Sequence, residues 1–148
     1  MSDRKPVVMV AEENEELVWL YSRWLKETGC HVWVVRDGAW ALAQAVPDPP
    51  DLILLDLQVP GGDCLEVCRE FKSSDQVGQI PLVAMTEYLD RGMRFLAKRA
   101  GADAVLVKPF SRIELATLIY QLLDWDKMEE LDEEIRSLEC KVWANMGR

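Results

Sequence analysis

Asp51-Leu52-Ile53-Leu54-Leu55-Asp56, followed by Leu57-Gln58-Val59-Pro60-Gly61-Gly62-Asp63, constrains the chain more than any other stretch. An apolar run that ends in a carboxylate and then meets Pro-Gly-Gly reads as a buried parallel strand, with Asp56 delivered to the loop at its C-terminal edge. That edge is where open α/β sheets place their chemistry. A carboxylate there can hold a cation, accept a proton or attack an electrophile, so its neighbours decide what it does.

Four further runs repeat the pattern. Pro6 to Ala11 is a short apolar strand closed by Glu12-Glu13-Asn14, and Asn14 is placed to cap a helix that Gly29 stops near Thr28. His31 to Val35 reads as a second strand, and Asp37-Gly38 turns into a helix from Ala39 to Ala45 that ends at Pro47. After the Asp51–Asp56 strand comes a helix from Asp63 to Lys72. Ile80 to Thr86 is a fourth strand and Tyr88 to Arg99 a helix; Ala104 to Val107 is a fifth strand, ending at Lys108-Pro109-Phe110. Ser111 then caps a helix from Arg112 to Leu123, with Glu114 at its third position.

Strands alternating with helices in this way predict an α/β fold, a five-stranded doubly wound parallel sheet sandwiched between helices. The loops after strands one, three, four and five then gather at one edge. They bring Glu12, Glu13, Asp56, Thr86 and Lys108 together. Clustered carboxylates repel unless a cation joins them, and oxygen donors without His or thiolate suit Mg²⁺ or Mn²⁺. With a phosphoryl group in the crevice, Asp56 is positioned as its nucleophile, Lys108 as a charged hold and Thr86 as a hydrogen-bond donor.

These motifs resemble the receiver domain of bacterial two-component response regulators, a flavodoxin-like fold, over about Lys5 to Leu123. Val8-Met9-Val10-Ala11-Glu12-Glu13-Asn14 is similar to the family's first strand and acidic pair. The Asp51 to Gly61 stretch is similar to its phosphoacceptor strand and loop, Ile80 to Thr86 to the strand ending in its switch hydroxyl, and Gly101 to Phe110 to the segment carrying its lysine. The resemblance implies that Asp56 accepts a phosphoryl group from a histidine kinase or phosphotransfer protein and slowly loses it by hydrolysis. It implies that Glu12, Glu13, Asp56 and the Gln58 carbonyl hold Mg²⁺, that Thr86 senses the phosphoryl group and Lys108 binds it, and that the Lys108-Pro109 bond is cis. A second reading keeps the fold and drops the chemistry: a pseudo-receiver that acts by constitutive protein contacts.

Three positions depart from the family pattern. Glu13 stands where Asp is usual, which predicts weaker metal binding because one extra methylene must be absorbed in an octahedral shell. Val105 replaces the usual Tyr or Phe, so signal output through a rotating aromatic is not expected. Glu87 replaces a small residue after the switch hydroxyl and would repel phosphate wherever it points inward.

Composition narrows the partners. A net charge of −9 over 148 residues argues against nucleic acid and anionic membranes, and no apolar run approaches the ~20 residues of a membrane span, so the chain reads as cytoplasmic. Glu12-Glu13-Asn14-Glu15-Glu16 stands where a dinucleotide site would need a glycine-rich loop. Cys30, Cys64, Cys68 and Cys140 form no C-x-x-C pair, and with His31 alone a structural zinc site is not expected. The reading divides the chain into a receiver domain, 1–123, and a C-terminal helical extension, 124–148. There Met128, Leu131, Ile135, Leu138 and Val142 recur at three- and four-residue spacing, which fits either a short dimerising coiled coil or a helix folded back on the domain. Trp24 and Trp33 are expected to pack, whereas Trp19, Trp40 or Trp143, if exposed, mark a surface for an unidentified downstream protein.

Overall fold

In a computed structural model, residues 5–87 and 91–124 are described, and they fall in two compact units, Met1–Phe110 and Ser111–Arg148. The first holds β1 (Val7–Ala11), α1 (Glu15–Thr28), β2 (His31–Val35), α2 (Gly38–Ala45), β3 (Leu52–Asp56), α3 (Cys64–Ser73), β4 (Leu82–Thr86), α4 (Arg91–Arg99) and β5 (Ala104–Val107). The second holds α5 (Arg112–Leu123), where the Ser111 hydroxyl accepts from the Glu114 N–H at 3.1 Å and Asp124 ends the helix in the left-handed conformation. The expected extension helix and heptad seam over 127–142, together with Trp125, Cys140 and Trp143, lie outside the described residues.

All five strands are parallel, in the order β2-β1-β3-β4-β5. The chain moves outward from β1 to β2 and then crosses back to β3 on the other side of β1. Right-handed crossovers therefore put α1 and α2 on opposite faces, which is what doubly wound means physically. Every residue of β3 and β4 is buried, as a sheet covered on both faces requires. On one face Met9, Ala11, Ile53, Leu55, Leu82 and Ala84 form a continuous core with Ala41 and Ala45 of α2, Val67, Cys68 and Phe71 of α3, and Ala97 of α4. Val8, Val10, Leu52, Leu54, Val83 and Met85 alternate with them onto the other face and are equally buried.

Local sequence accounts for most boundaries. Asn14 Oδ1 accepts from the Leu17 N–H at 3.1 Å to begin α1, and Gly29, at φ 99°, donates to Leu25 and Lys26 to end it. Asp63 begins α3 in the same way, and Cys64, Val67, Cys68 and Phe71 recur at helical spacing on its buried face. β4 starts at Leu82, two residues later than expected, because Pro81 has no N–H to give a ladder and Ile80 turns back to donate to the Val77 carbonyl at 3.1 Å. α2 begins one residue early, at Gly38, since Asp37 Oδ1 accepts from the Trp40 N–H at 2.8 Å. Trp33 and Trp24 are half-buried, Trp33 against the core and Trp24 beside Tyr21 and Phe110. Trp19 and Trp40 are exposed, at 62% and 59%.

Candidate functional site

β3 and β4 end in, and β1 is followed directly by, a polar residue that is almost fully buried: Asp56 at 5%, Thr86 at 1% and Glu12 at 1% exposed. Each is placed by the strand before it. The Glu12 N–H donates to Val35 at 3.0 Å, which extends β1 pairing by one residue beyond the strand, and the Glu12 carboxylate turns back to accept from the Asn14 N–H at 3.2 Å. At the end of β5 the Lys108 N–H donates to the Thr86 carbonyl at 2.7 Å, which fixes where the lysine side chain departs. The Lys108-Pro109 bond is cis, as the resemblance implied.

From there the Lys108 ammonium reaches across to Glu12 Oε1 at 2.5 Å and Asp56 Oδ2 at 3.4 Å. The other Asp56 oxygen, Oδ1, accepts from the Gln58 N–H at 3.1 Å. One cation thus faces two buried carboxylates, and the local charge is negative. Burial pushes the Glu12 carboxyl up from its ordinary range; the Lys108 ammonium opposes that and the Asp56 charge adds to it. Such a deficit of positive charge among oxygen-only donors fits a hard divalent cation.

Glu13 and Gln58, the other expected metal donors, are exposed. The Glu13 carbonyl accepts from Arg36 Nη1 at 3.4 Å. Among the described residues no three acidic, His or Cys side chains converge into a ready-made cation cage. Glu87 is exposed and lines a cavity of about 340 Å³ with Leu17, Leu20, Tyr21, Lys108, Pro109 and Phe110. Tyr21 stacks on Phe110 at 4.9 Å, and burial, with the charges of Glu12, Asp56 and Glu87, raises its hydroxyl pKa. Val105 is a half-buried strand residue packed on the core, with neither a ring to rotate nor a hydroxyl to offer.

One neighbour of Asp56 had no evident role in the sequence. Cys64, the first residue of α3, places its Sγ 3.3 Å from the Val59 carbonyl and 3.7 Å from that of Asp56. Burial, together with the charges of Asp56 and Asp63, pushes its thiol pKa up, so it stays a neutral donor. The clue available beforehand was its place directly after the Asp63 cap, where a short polarizable side chain can turn back onto the preceding loop.

A parallel sheet in this strand order, with an acidic pair of partners around one ammonium at its C-terminal edge, defines a phosphate-handling signalling domain rather than a dinucleotide enzyme. The chain belongs to the response regulator receiver domain family, whose model matches residues 8–120; these are the phosphoryl-accepting domains of two-component signalling. It is 34% identical to the polar-differentiation response regulator DivK of Brucella anthropi over 104 residues, 70% of this chain and 85% of that protein. With the transcriptional regulatory protein BaeR of Escherichia coli it shares 30% identity over 123 residues, 83% of this chain but only half the length of BaeR. Among solved structures, the receiver domain of the sensor histidine kinase PA1611 from Pseudomonas aeruginosa, which holds a magnesium ion in its active-site cleft, superposes with a TM-score of 0.76 at 26% identity, covering 82% of this chain and all of that one.

Proposed function

We propose that Asp56 is the phosphate acceptor of this receiver, and that the donor is a phosphorylated histidine on a histidine kinase or phosphotransfer protein. The observation that carries this reading is the buried Asp56 carboxylate held between the Gln58 N–H and the Lys108 ammonium. An Asp56 oxygen attacks phosphorus; the bond from phosphorus to the donor nitrogen breaks, its electron pair stays with the imidazole, and an aspartyl phosphate forms. Lys108 draws a phosphoryl oxygen by charge, and the Thr86 hydroxyl donates to another. Hydrolysis of the acyl phosphate returns the carboxylate and inorganic phosphate, which makes the signal transient.

Glu12, Glu13, Asp56 and the Gln58 carbonyl are the donors this reading assigns to Mg²⁺, and the family relationship to a magnesium-holding receiver supports it. Bound there, the ion supplies charge neutralisation between the carboxylates and the incoming phosphoryl group. Residues 1–123 are assigned to the receiver domain and 124–148 to a C-terminal extension, whose two readings, dimerising or folding back, stay open; the chain is assigned to the cytoplasm, acting on a downstream protein. Among the described residues no helix is long and apolar enough to cross a membrane.

Intact mass after incubation with Mg²⁺ and acetyl phosphate tests the acceptor. One added phosphoryl group in the wild type and none in Asp56→Asn is the expected result. Equal uptake by both forms would move the acceptor elsewhere, and uptake by neither would restore the pseudo-receiver reading.

A further inference from the structure

The loop between β3 and α3, Leu57 to Asp63, carries the Gln58 N–H that holds the acceptor; Leu57 and Val59 anchor its first half in the core, and its remaining ties are hydrogen bonds. Gly61 and Gly62 both have positive φ, at 102° and 113°, and nothing lies within 4 Å of where a Cβ on Gly62 would stand. Asp37 lies against Gly61, whereas packing does not fix Gly62. At its entry Leu57 donates to the Met85 carbonyl at 2.9 Å and Val59 to the Asp56 carbonyl at 3.1 Å; in its middle the Pro60 carbonyl accepts from Gly38 at 2.8 Å. At its exit the Cys64 thiol reaches back over the whole loop to the carbonyls of Val59 and Asp56.

We propose that Cys64 is a positioning residue for phosphoryl acceptance: its thiol bonds from the first turn of α3 to the Val59 and Asp56 carbonyls and holds the loop so that Gln58 meets both Asp56 and the metal. This rests on the assignment of Asp56 as acceptor and of the Gln58 carbonyl as metal donor. The contact has the right reach and the right partners. Val59, next to Gln58, is itself buried; its N–H donates to the Asp56 carbonyl at 3.1 Å and its carbonyl accepts from Cys64, so the residue that follows Gln58 is held at both of its peptide groups. Cys64 as a whole is only 8% exposed, so water competes little for that bond. Its bonds to Asp56 and Val59 run entirely through backbone oxygens, so the thiol does not compete with Gln58 and Lys108 for the Asp56 carboxylate.

Three variants of the full chain separate this role from plain packing. Cys64→Ala removes the donor, Cys64→Ser keeps a donor of similar shape, and Cys68→Ala removes a fully buried sulfur one turn further along α3 while leaving both Cys64 bonds in place. The readout is the Mg²⁺ concentration giving half-maximal thermal stabilisation, read together with the Mg²⁺ dependence of phosphate uptake from acetyl phosphate. Cys64→Ala is expected to raise both half-saturation values about three- to tenfold, the size of one lost hydrogen bond, and Cys64→Ser to restore them to within about twofold. Cys68→Ala is expected to lower the melting temperature and leave both values unchanged. Half-saturation in Cys64→Ala equal to wild type, or raised equally in Cys68→Ala, overturns the proposal. No stabilisation of the wild type by Mg²⁺ and no uptake would instead overturn the metal and acceptor assignments on which it rests.

Discussion

Lys108 and Glu12, 96 residues apart in the chain, form an ion pair at 2.5 Å with both side chains more than nine-tenths buried. The pair is closer than the contact of the same ammonium with Asp56, at 3.4 Å. Lys108 is therefore a structural counter-ion for Glu12 as well as the hold proposed for a phosphoryl group. Replacing it by Met leaves two buried carboxylates facing each other without compensation, and removal of one partner from such a pair costs about 3 kcal/mol. Urea unfolding of Lys108→Met is expected to show that loss together with loss of phosphate uptake. Glu12→Gln, which keeps the shape and leaves Lys108 to Asp56, should unfold closer to wild type.

Two neighbouring glycines should respond differently to the same change. Both Gly61 and Gly62 have positive φ, so alanine at either meets backbone strain, about 1 kcal/mol. A Cβ on Gly61 would also collide with the Asp37 carboxylate, which is held in place by capping α2 through the Trp40 N–H at 2.8 Å, whereas a Cβ on Gly62 meets nothing. Gly61→Ala is expected to cost roughly 1 kcal/mol more than Gly62→Ala, because it must also displace the cap. Equal melting temperatures for the two variants would mean that Asp37 yields without loss.

The sheet and the residues at its edge were legible because each strand is an apolar run that stops at a polar residue. Glu12, Asp56, Thr86 and Lys108 could be placed by counting to the ends of β1, β3, β4 and β5. What could not be counted was how those ends meet. The preference of Lys108 for Glu12 over Asp56 depends on where two side chains from β1 and β5 arrive, and neither local propensity nor spacing encodes that. The Cys64 contact depends on the path of a loop through two left-handed glycines, so a residue with no evident role in the sequence ends beside Asp56. Pro81 did carry a readable signal, since a residue without an N–H delays the strand it precedes.

Glu13 is the position where this chain departs from its family at the proposed metal site, and its side chain is exposed beside the buried Glu12. Mg²⁺ keeps near-ideal octahedral geometry and tolerates misplaced donors poorly, so the extra methylene is expected to weaken the proposed site. Glu13→Asp is expected to lower the Mg²⁺ concentration for half-maximal phosphate uptake by about three- to tenfold, with little change in melting temperature without metal. An unchanged or higher Mg²⁺ requirement would show that the longer side chain already reaches the ion without strain.

Cys68 sets a limit on stability at high pH. It is fully buried on α3, and burial, reinforced by Cys64, pushes its thiol from 9.0 up to about 12. Below about pH 9 the thiol is protonated in both the folded and unfolded chain, and its contribution is fully present. Between about 9 and 12 the unfolded chain gives up a proton that the folded chain retains, so stability falls as pH rises, by up to about 1.4 kcal/mol per pH unit. Tyr21, also raised by burial, acts in the same direction and is present in every variant that keeps it. Cys68→Ala is expected to be less stable than wild type at pH 7, through the lost sulfur, and to lose less on going from pH 8.5 to pH 10.5, so that the two urea-unfolding curves of stability against pH converge. Parallel curves over that interval would show that the thiol ionises in the folded chain as readily as in the unfolded one, and that water reaches the interior of α3.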